Sequence, residues 1–241
     1  MGFGGLPLAT PGGKLEAGGD RGGRRVAARP TGTESRHGRT DEGRPFLTLD
    51  LPEAEGVFDP AFFPGPEADR PLEQPNEATA WRQDPMRMFG EPEPLPRPTA
   101  WYKGPGARHI YSGIPDGPLP RTSALAEVEE AAEAVADEVF DGVPPNRDRT
   151  GRDGMGRHAD DEPESGDEPV IAPASFGGTR TFQLKHKRRK ELKASVEPAH
   201  GSLPIMRGGT QANWLRRVPK TARPVAERPD LTSRRIIAPG R

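Results

Sequence analysis

Along most of this chain the apolar positions do not recur with a period that would bury one face. The clearest exception is 123–141, where Leu125, Val128, Ala132, Val135 and Val139 follow spacings of three and four. That stripe predicts an amphipathic helix. Thr122 or Ser123 can cap it, Gly142 stops it, and Pro144 and Pro145 forbid its continuation. Roughly 19 residues would span ~28 Å. The other faces carry Glu127, Glu129, Glu130, Glu133, Asp137 and Glu138, with no basic residue among them. An isolated helix of this length is marginal in water. Its narrow stripe therefore predicts a partner, either a groove on another protein or a second copy of itself.

Period-two alternation predicts two short strands. At 46–51, Phe46 and Thr48 point one way and Leu47, Leu49 and Leu51 the other, until Pro52 ends the run. At 179–187, Phe182 and Leu184 alternate with polar residues and lead into the basic run Lys187, Arg188, Arg189, Lys190. Elsewhere the large apolar side chains stand alone. Phe58, Phe62, Phe63, Trp81, Phe89 and Trp101 lie between 57 and 111, most of them close to a proline. Such segments suit stiff, extended backbone that presents aromatic anchors to a partner's pockets. Trp214 is a further isolated anchor.

Composition turns this sparse pattern into a prediction about the whole chain. There are 30 glycines and 30 prolines in 241 residues, and hydrophobic residues make up 32%. At that level the default is a low-complexity chain without a packed core. Ordering a residue costs about 1–2 kcal/mol, and little apolar surface is available to offset it. The expected fold class is mostly irregular and extended, largely disordered in isolation, with one helix, one or two short strands and no autonomous globular domain. The expected organisation is a flexible Gly/Arg-rich arm (1–45), a Pro/aromatic docking segment (46–121) and the acidic helix (122–142). An acidic linker (143–178) and a basic C-terminal tail (179–241) complete it.

Charge sharpens the division. The net charge of −1 hides −11 over 122–169 and +12 over 170–241. Such asymmetry marks interaction surfaces. Lys185, Lys187, Arg188, Arg189, Lys190 and Lys193, with Arg216 and Arg217 beside Trp214, could contact nucleic-acid phosphates or an acidic protein surface. Arginine outnumbers lysine 28 to 7, but a GC-rich genome would produce the same excess, so it carries little weight.

Familiar chemistry is hard to find. Cysteine is absent, which excludes disulfides and thiolate metal sites. Gly12, Gly13 and Lys14 precede Leu15 rather than Ser or Thr, so no phosphate-binding loop forms. The histidines (His37, His109, His158, His186, His200) are dispersed, and no pair has helical metal-site spacing. Asn146, Asp148, Thr150 and Gly151 imitate a calcium loop, but its twelfth position is Arg157. No metal, cofactor or enzymatic activity is expected. No apolar run spans a bilayer and no standard export signal is present, so the expectation is a soluble protein without a membrane role.

The resulting expectation is a non-catalytic structural protein, an extended clamp or minor cementing component of a large multi-subunit assembly such as a virion. Its docking residues would be Phe58, Phe62, Phe63, Trp81, Phe89, Trp101, Leu125, Val128, Val135, Val139 and Trp214. The alternative is a disordered nucleic-acid-binding or packaging factor that works through the basic tail.

Overall fold

Burial alternates along 182–186 and again along 214–218, with Phe182, Leu184 and His186, and then Trp214, Arg216 and Val218, turned inward. Strands built this way dominate a computed structural model of the chain. It describes residues 24–25, 28–30, 46–73, 81–83, 85–88, 91–100, 102–103, 119–140 and 142–235. The early strands are β1 (Arg24–Arg25), β2 (Ala28–Pro30), β3 (Leu47–Leu49) and β4 (Glu55–Asp59), followed by helix α1 (Gly65–Glu73). Next come β5 (Pro85–Met88), β6 (Glu91–Pro94), β7 (Tyr102–Lys103) and β8 (Leu119–Pro120), then helix α2 (Ser123–Ala136). Strands β9 (Gly142–Val143), β10 (Pro145–Asp148), β11 (Met155–His158) and β12 (Ile171–Ser175) follow. The remainder is β13 (Phe182–His186), β14 (Leu192–Val196), β15 (Leu203–Arg207), α3 (Thr210–Asn213), β16 (Trp214–Val218) and β17 (Arg228–Arg234).

The smaller sheet has the order β1-β14-β13-β16-β11. The larger runs β2-β3-β4-β15-β12-β17-β9-β7-β8, with β10 also paired to β17. Between the sheets, Leu49, Leu51, Phe58, Ile171 and Met206 pack against Phe182, Leu184, Val196, Trp214 and Val218. On the outer face of the larger sheet, Leu125, Val128, Ala132 and Ala136 of α2 pack with Ala172, Ala174, Leu203, Ile205 and Leu231. The layers are therefore helix, large sheet, small sheet.

This architecture overturns the expectation of a largely disordered chain without a globular domain. Counting apolar residues underestimates the interior, because much of it is built from charged side chains that neutralise one another. Arg180, Arg228, Asp148, Asp160 and Asp230 are all buried. Glycine and proline do not break the sheets either. Pro173, Pro204 and Pro229 lie within paired strands, and each removes a single donor. Gly177 and Gly201 turn the chain between strands with φ of 70° and 77°, a region that suits glycine.

Helix α2 is shorter than its apolar spacing predicts. Thr122 caps it, its hydroxyl accepting from the Leu125 amide at 3.3 Å. Asp137, at φ 51°, ends it after Ala136. Val139 lies beyond that cap and is 71% exposed. The stripe meets the chain's own large sheet rather than another protein or a second copy. The acidic face is also partly internal: Glu129 is buried against Arg121. Among the described residues no helix is long and apolar enough to cross a membrane.

Candidate active site

On β17 the side chains of Arg228, Asp230, Thr232 and Arg234 recur every second residue and face the smaller sheet, while Leu231 faces the helices. Antiparallel register places Asp148 opposite Arg228 and Asn146 opposite Asp230 on β10, and Ser175 opposite Asp230 on β12. Arg228 donates to the Ser175 hydroxyl at 2.7 Å, to Asp230 at 2.8 Å and to Asp148 at 3.2 Å. Arg97 reaches Asp148 at 3.6 Å and Asp230 at 3.5 Å. Arg180 stands 3.8 Å from Asp148 and donates to the carbonyls of Thr150, Asp153 and Pro219. Burial alone would raise the Asp230 pKa, but Arg228, Arg97 and Arg216 outweigh it and hold the carboxyl below its ordinary value.

A second cluster joins the first from the smaller sheet. His158 ends β11 half-buried, and Asp160, two residues on, is buried. Arg216 of β16 lies opposite His158 in register. Its Nε donates to His158 Nε2 at 3.1 Å, and its Nη2 donates to Asp160. His158 Nδ1 faces the Gly156 carbonyl at 2.9 Å, so the proton on Nδ1 leaves Nε2 free to accept. Arg234 approaches the other oxygen of Asp160 at 3.5 Å, and Gln211 accepts from the Asp160 amide at 3.0 Å. Burial, and then the Arg216 charge, push the His158 pKa down to about 4, so the ring is neutral near pH 7. Burial opposes ionisation of Asp160, yet Arg216, Arg234 and His158 together hold its pKa below normal.

Electrostatics link the clusters, since Arg216 acts on Asp230 and Arg97 acts on His158. Together they hold the guanidiniums of Arg97, Arg180, Arg216, Arg228 and Arg234 against the carboxylates of Asp148, Asp160 and Asp230. Asp153 is buried beside Arg180 as well, so within this network five guanidiniums face four carboxylates. Nε and Nη1 of Arg97 and Nε of Arg228 are buried without a hydrogen-bond acceptor. Oδ1 of Asp148 is likewise buried without a hydrogen-bond donor.

The residues expected from the sequence fall elsewhere. Phe58, Phe63, Leu125, Val128 and Trp214 are buried in the chain's own core, with Phe62, Trp81 and Val135 partly buried against it. Phe89 and Trp101 lie outside the described residues. Of the basic set, Arg216 belongs to the interior cluster. Lys187 pairs with Asp161 at 2.7 Å and Arg189 with Glu53 at 2.8 Å. Arg188 and Lys190 are exposed in the β13–β14 turn. Lys185 and Lys193 are opposite one another, and Arg217 donates to Gln183, all on the outer face of the smaller sheet. The would-be calcium residues Asn146 and Asp148 belong to a strand, where Asn146 accepts from the Thr99 hydroxyl and Asp148 faces arginines.

The sequence reading weighs His158 and Asp148 only to dismiss them, and passes over Asp160, Arg97, Arg180, Arg228, Asp230 and Arg234. A weak signal existed. Both 158–160 and 228–234 place charged residues at alternate positions, as a strand with a polar inner face would. Nothing local indicates that those faces meet.

Comparison with known proteins explains the arrangement. Residues 57–237 match the model of the 2OG-Fe(II) oxygenase superfamily. The chain is 35% identical over 181 residues to the mouse DNA oxidative demethylase ALKBH2, covering 71% of this chain and 76% of that one. It is 35% identical over 186 residues to the mouse alpha-ketoglutarate-dependent dioxygenase alkB homolog 3, covering 73% of this chain and 64% of that one. A solved structure described as "The structure of OsALKBH1" superposes with a TM-score of 0.56 over 78% of this chain and 99% of that one. Its 17% identity speaks for the fold alone. These likenesses overturn the expectations of a non-catalytic clamp, a disordered packaging factor, partners within a large assembly, and virion association. They relate the chain to catalytic, AlkB-type DNA-repair dioxygenases instead. With three quarters of its length matched by one family model and its inner strands built as described, the chain belongs to the 2OG-Fe(II) oxygenase superfamily.

Proposed function

We propose that this chain is an AlkB-type protein that works on DNA and takes a 2-oxoglutarate-type dicarboxylate among its buried arginines. One observation carries the reading: guanidiniums outnumber carboxylates in the buried network, with donors of Arg97 and Arg228 left without acceptors. Unpaired buried donors and uncompensated charge cost several kcal/mol, and a bound acid anion would offset that cost. Arg228 and Arg97 would hold the carboxylates, as charge-assisted hydrogen-bond donors. In this family such an acid is a co-substrate.

The family name also implies a ferrous ion, and here the fit fails. Non-haem iron of this class is held by two histidines and one carboxylate. His158 and Asp160 could supply one of each. Among the described residues, however, no group of three His, Cys, Asp or Glu side chains could hold a metal. The third corner is Arg216, a donor without a lone pair.

DNA would meet the outer face of the smaller sheet, where Arg157, Lys185, Lys193 and Arg217 lie together. Burial, and then the Arg217 charge beside it, hold the Arg157 guanidinium pKa below its ordinary value. Titrating the protein with 2-oxoglutarate, in chelator and at constant ionic strength, tests the central point. The melting temperature should rise with 2-oxoglutarate and stay unchanged with its dimethyl ester. Equal behaviour of acid and ester would refute the dicarboxylate reading.

A further inference from the structure

We infer that Arg216 is a resident cation standing in the metal's place, its guanidinium bonded to the two side chains, His158 and Asp160, that would otherwise ligate a divalent ion. The inference uses only the geometry of those three residues, and does not depend on the dicarboxylate reading.

A metal would need the Nε2 lone pair of His158 and an oxygen of Asp160. Both are already taken: Nε of Arg216 donates to Nε2 at 3.1 Å, and Nη2 donates to the carboxylate. The register of β11 and β16 enforces this, because His158 and Arg216 are directly paired and face the same way. Arg216 is buried, 7% exposed, so it cannot swing into solvent without crossing the sandwich. Asp160 is fixed from behind by Arg234 and by Gln211, which accepts from its amide. A guanidinium is planar and always charged, and it presents two N–H donors in a fork. It therefore bridges an imidazole nitrogen and a carboxylate as a metal would, with one positive charge in place of two. Its ion pair with Asp160 is buried, and displacing it would leave both charges unpaired. The other described histidines are committed elsewhere, His186 to Glu53 and His200 to Asp69.

The test uses Co(II) as a spectroscopic probe of the metal-free, full-length chain. Wild type should show no visible Co(II) band that disappears in the His158→Ala variant, and no rise in melting temperature. Arg216→His places an imidazole at the third corner. It should acquire a Co(II) band saturating at one equivalent, lost again on adding His158→Ala. Arg216→Ala should be destabilised and regain melting temperature with millimolar guanidinium or with Co(II), whereas wild type should not respond to either. The inference is overturned by His158-dependent Co(II) binding in wild type, or by a folded Arg216→His chain that ignores Co(II). Should Arg216→His not fold, failure of both cations to raise the melting temperature of Arg216→Ala overturns it equally. A dicarboxylate that fails to bind leaves every one of these outcomes unchanged.

Discussion

Replacing Asp148 by asparagine probes the charged interior at its most shared point. The Asp148 side chain is fully buried and stands within 3.2 to 3.8 Å of Arg228, Arg97 and Arg180. Asparagine has nearly the same volume, so no cavity forms and the perturbation is one of charge. Removing one partner of a buried pair costs about 3–5 kcal/mol. In a domain of this size each kcal/mol moves the melting temperature by about 2–4 °C, so a fall of roughly 6–20 °C is expected. Circular dichroism melts and urea titrations would measure it, with the urea m-value unchanged if only stability is altered. Glu227→Gln is the internal comparison. Glu227 accepts from Arg147 at 2.6 and 2.9 Å, but the pair is partly exposed, so less than about 1 kcal/mol should be lost. The substitution at 148 also leaves one carboxylate fewer among these arginines. Added 2-oxoglutarate should therefore stabilise Asp148→Asn more than wild type. A loss below about 1 kcal/mol at Asp148, or one equal to that at Glu227, would refute the claim that this carboxylate holds the arginines in place.

Acid should act in two steps. The folded pKa of His158, about 4, lies below its unfolded value of about 6.5, so the unfolded chain binds the extra proton and stability falls between those pH values. Asp160 and Asp230 are held below the usual carboxylate range. Their contribution is present above about pH 4 and is lost as the pH falls through their folded values. His158→Gln should remove the first step from a melting-temperature profile and leave the second; a profile that keeps its slope between pH 6.5 and 4 would contradict this assignment. Leu125→Ala, at a position 1% exposed between α2 and the large sheet, should cost about 2–5 kcal/mol in urea unfolding. On the outer face, Lys185→Gln with Arg217→Gln should weaken binding to a single-stranded DNA oligonucleotide and reduce the logarithmic salt slope by about one per charge removed. An unchanged slope would place the DNA on another surface.

The amino-acid sequence by itself determined the local features of this protein. The stripe from Leu125 to Ala132, the Thr122 hydroxyl ahead of it, and the alternation around Phe182 and Leu184 depend on neighbours a few residues away. What the sequence could not convey was that the charges would be interior. Arg228 and Asp148 are 80 residues apart, and Arg216 and Asp160 are 56 apart. Read one at a time, each is an ordinary solvated charge on a glycine- and proline-rich chain. Only strand register brings them face to face, and only then does a buried ion-pair network take over part of the work that composition assigns to oily side chains. The C-terminal residues read as an extended tail for the same reason: β16 and β17 are interior strands, and the residues they turn inward include Arg216, Arg228 and Asp230. Long-range pairing decided the fold, and with it the place of Arg216 between His158 and Asp160.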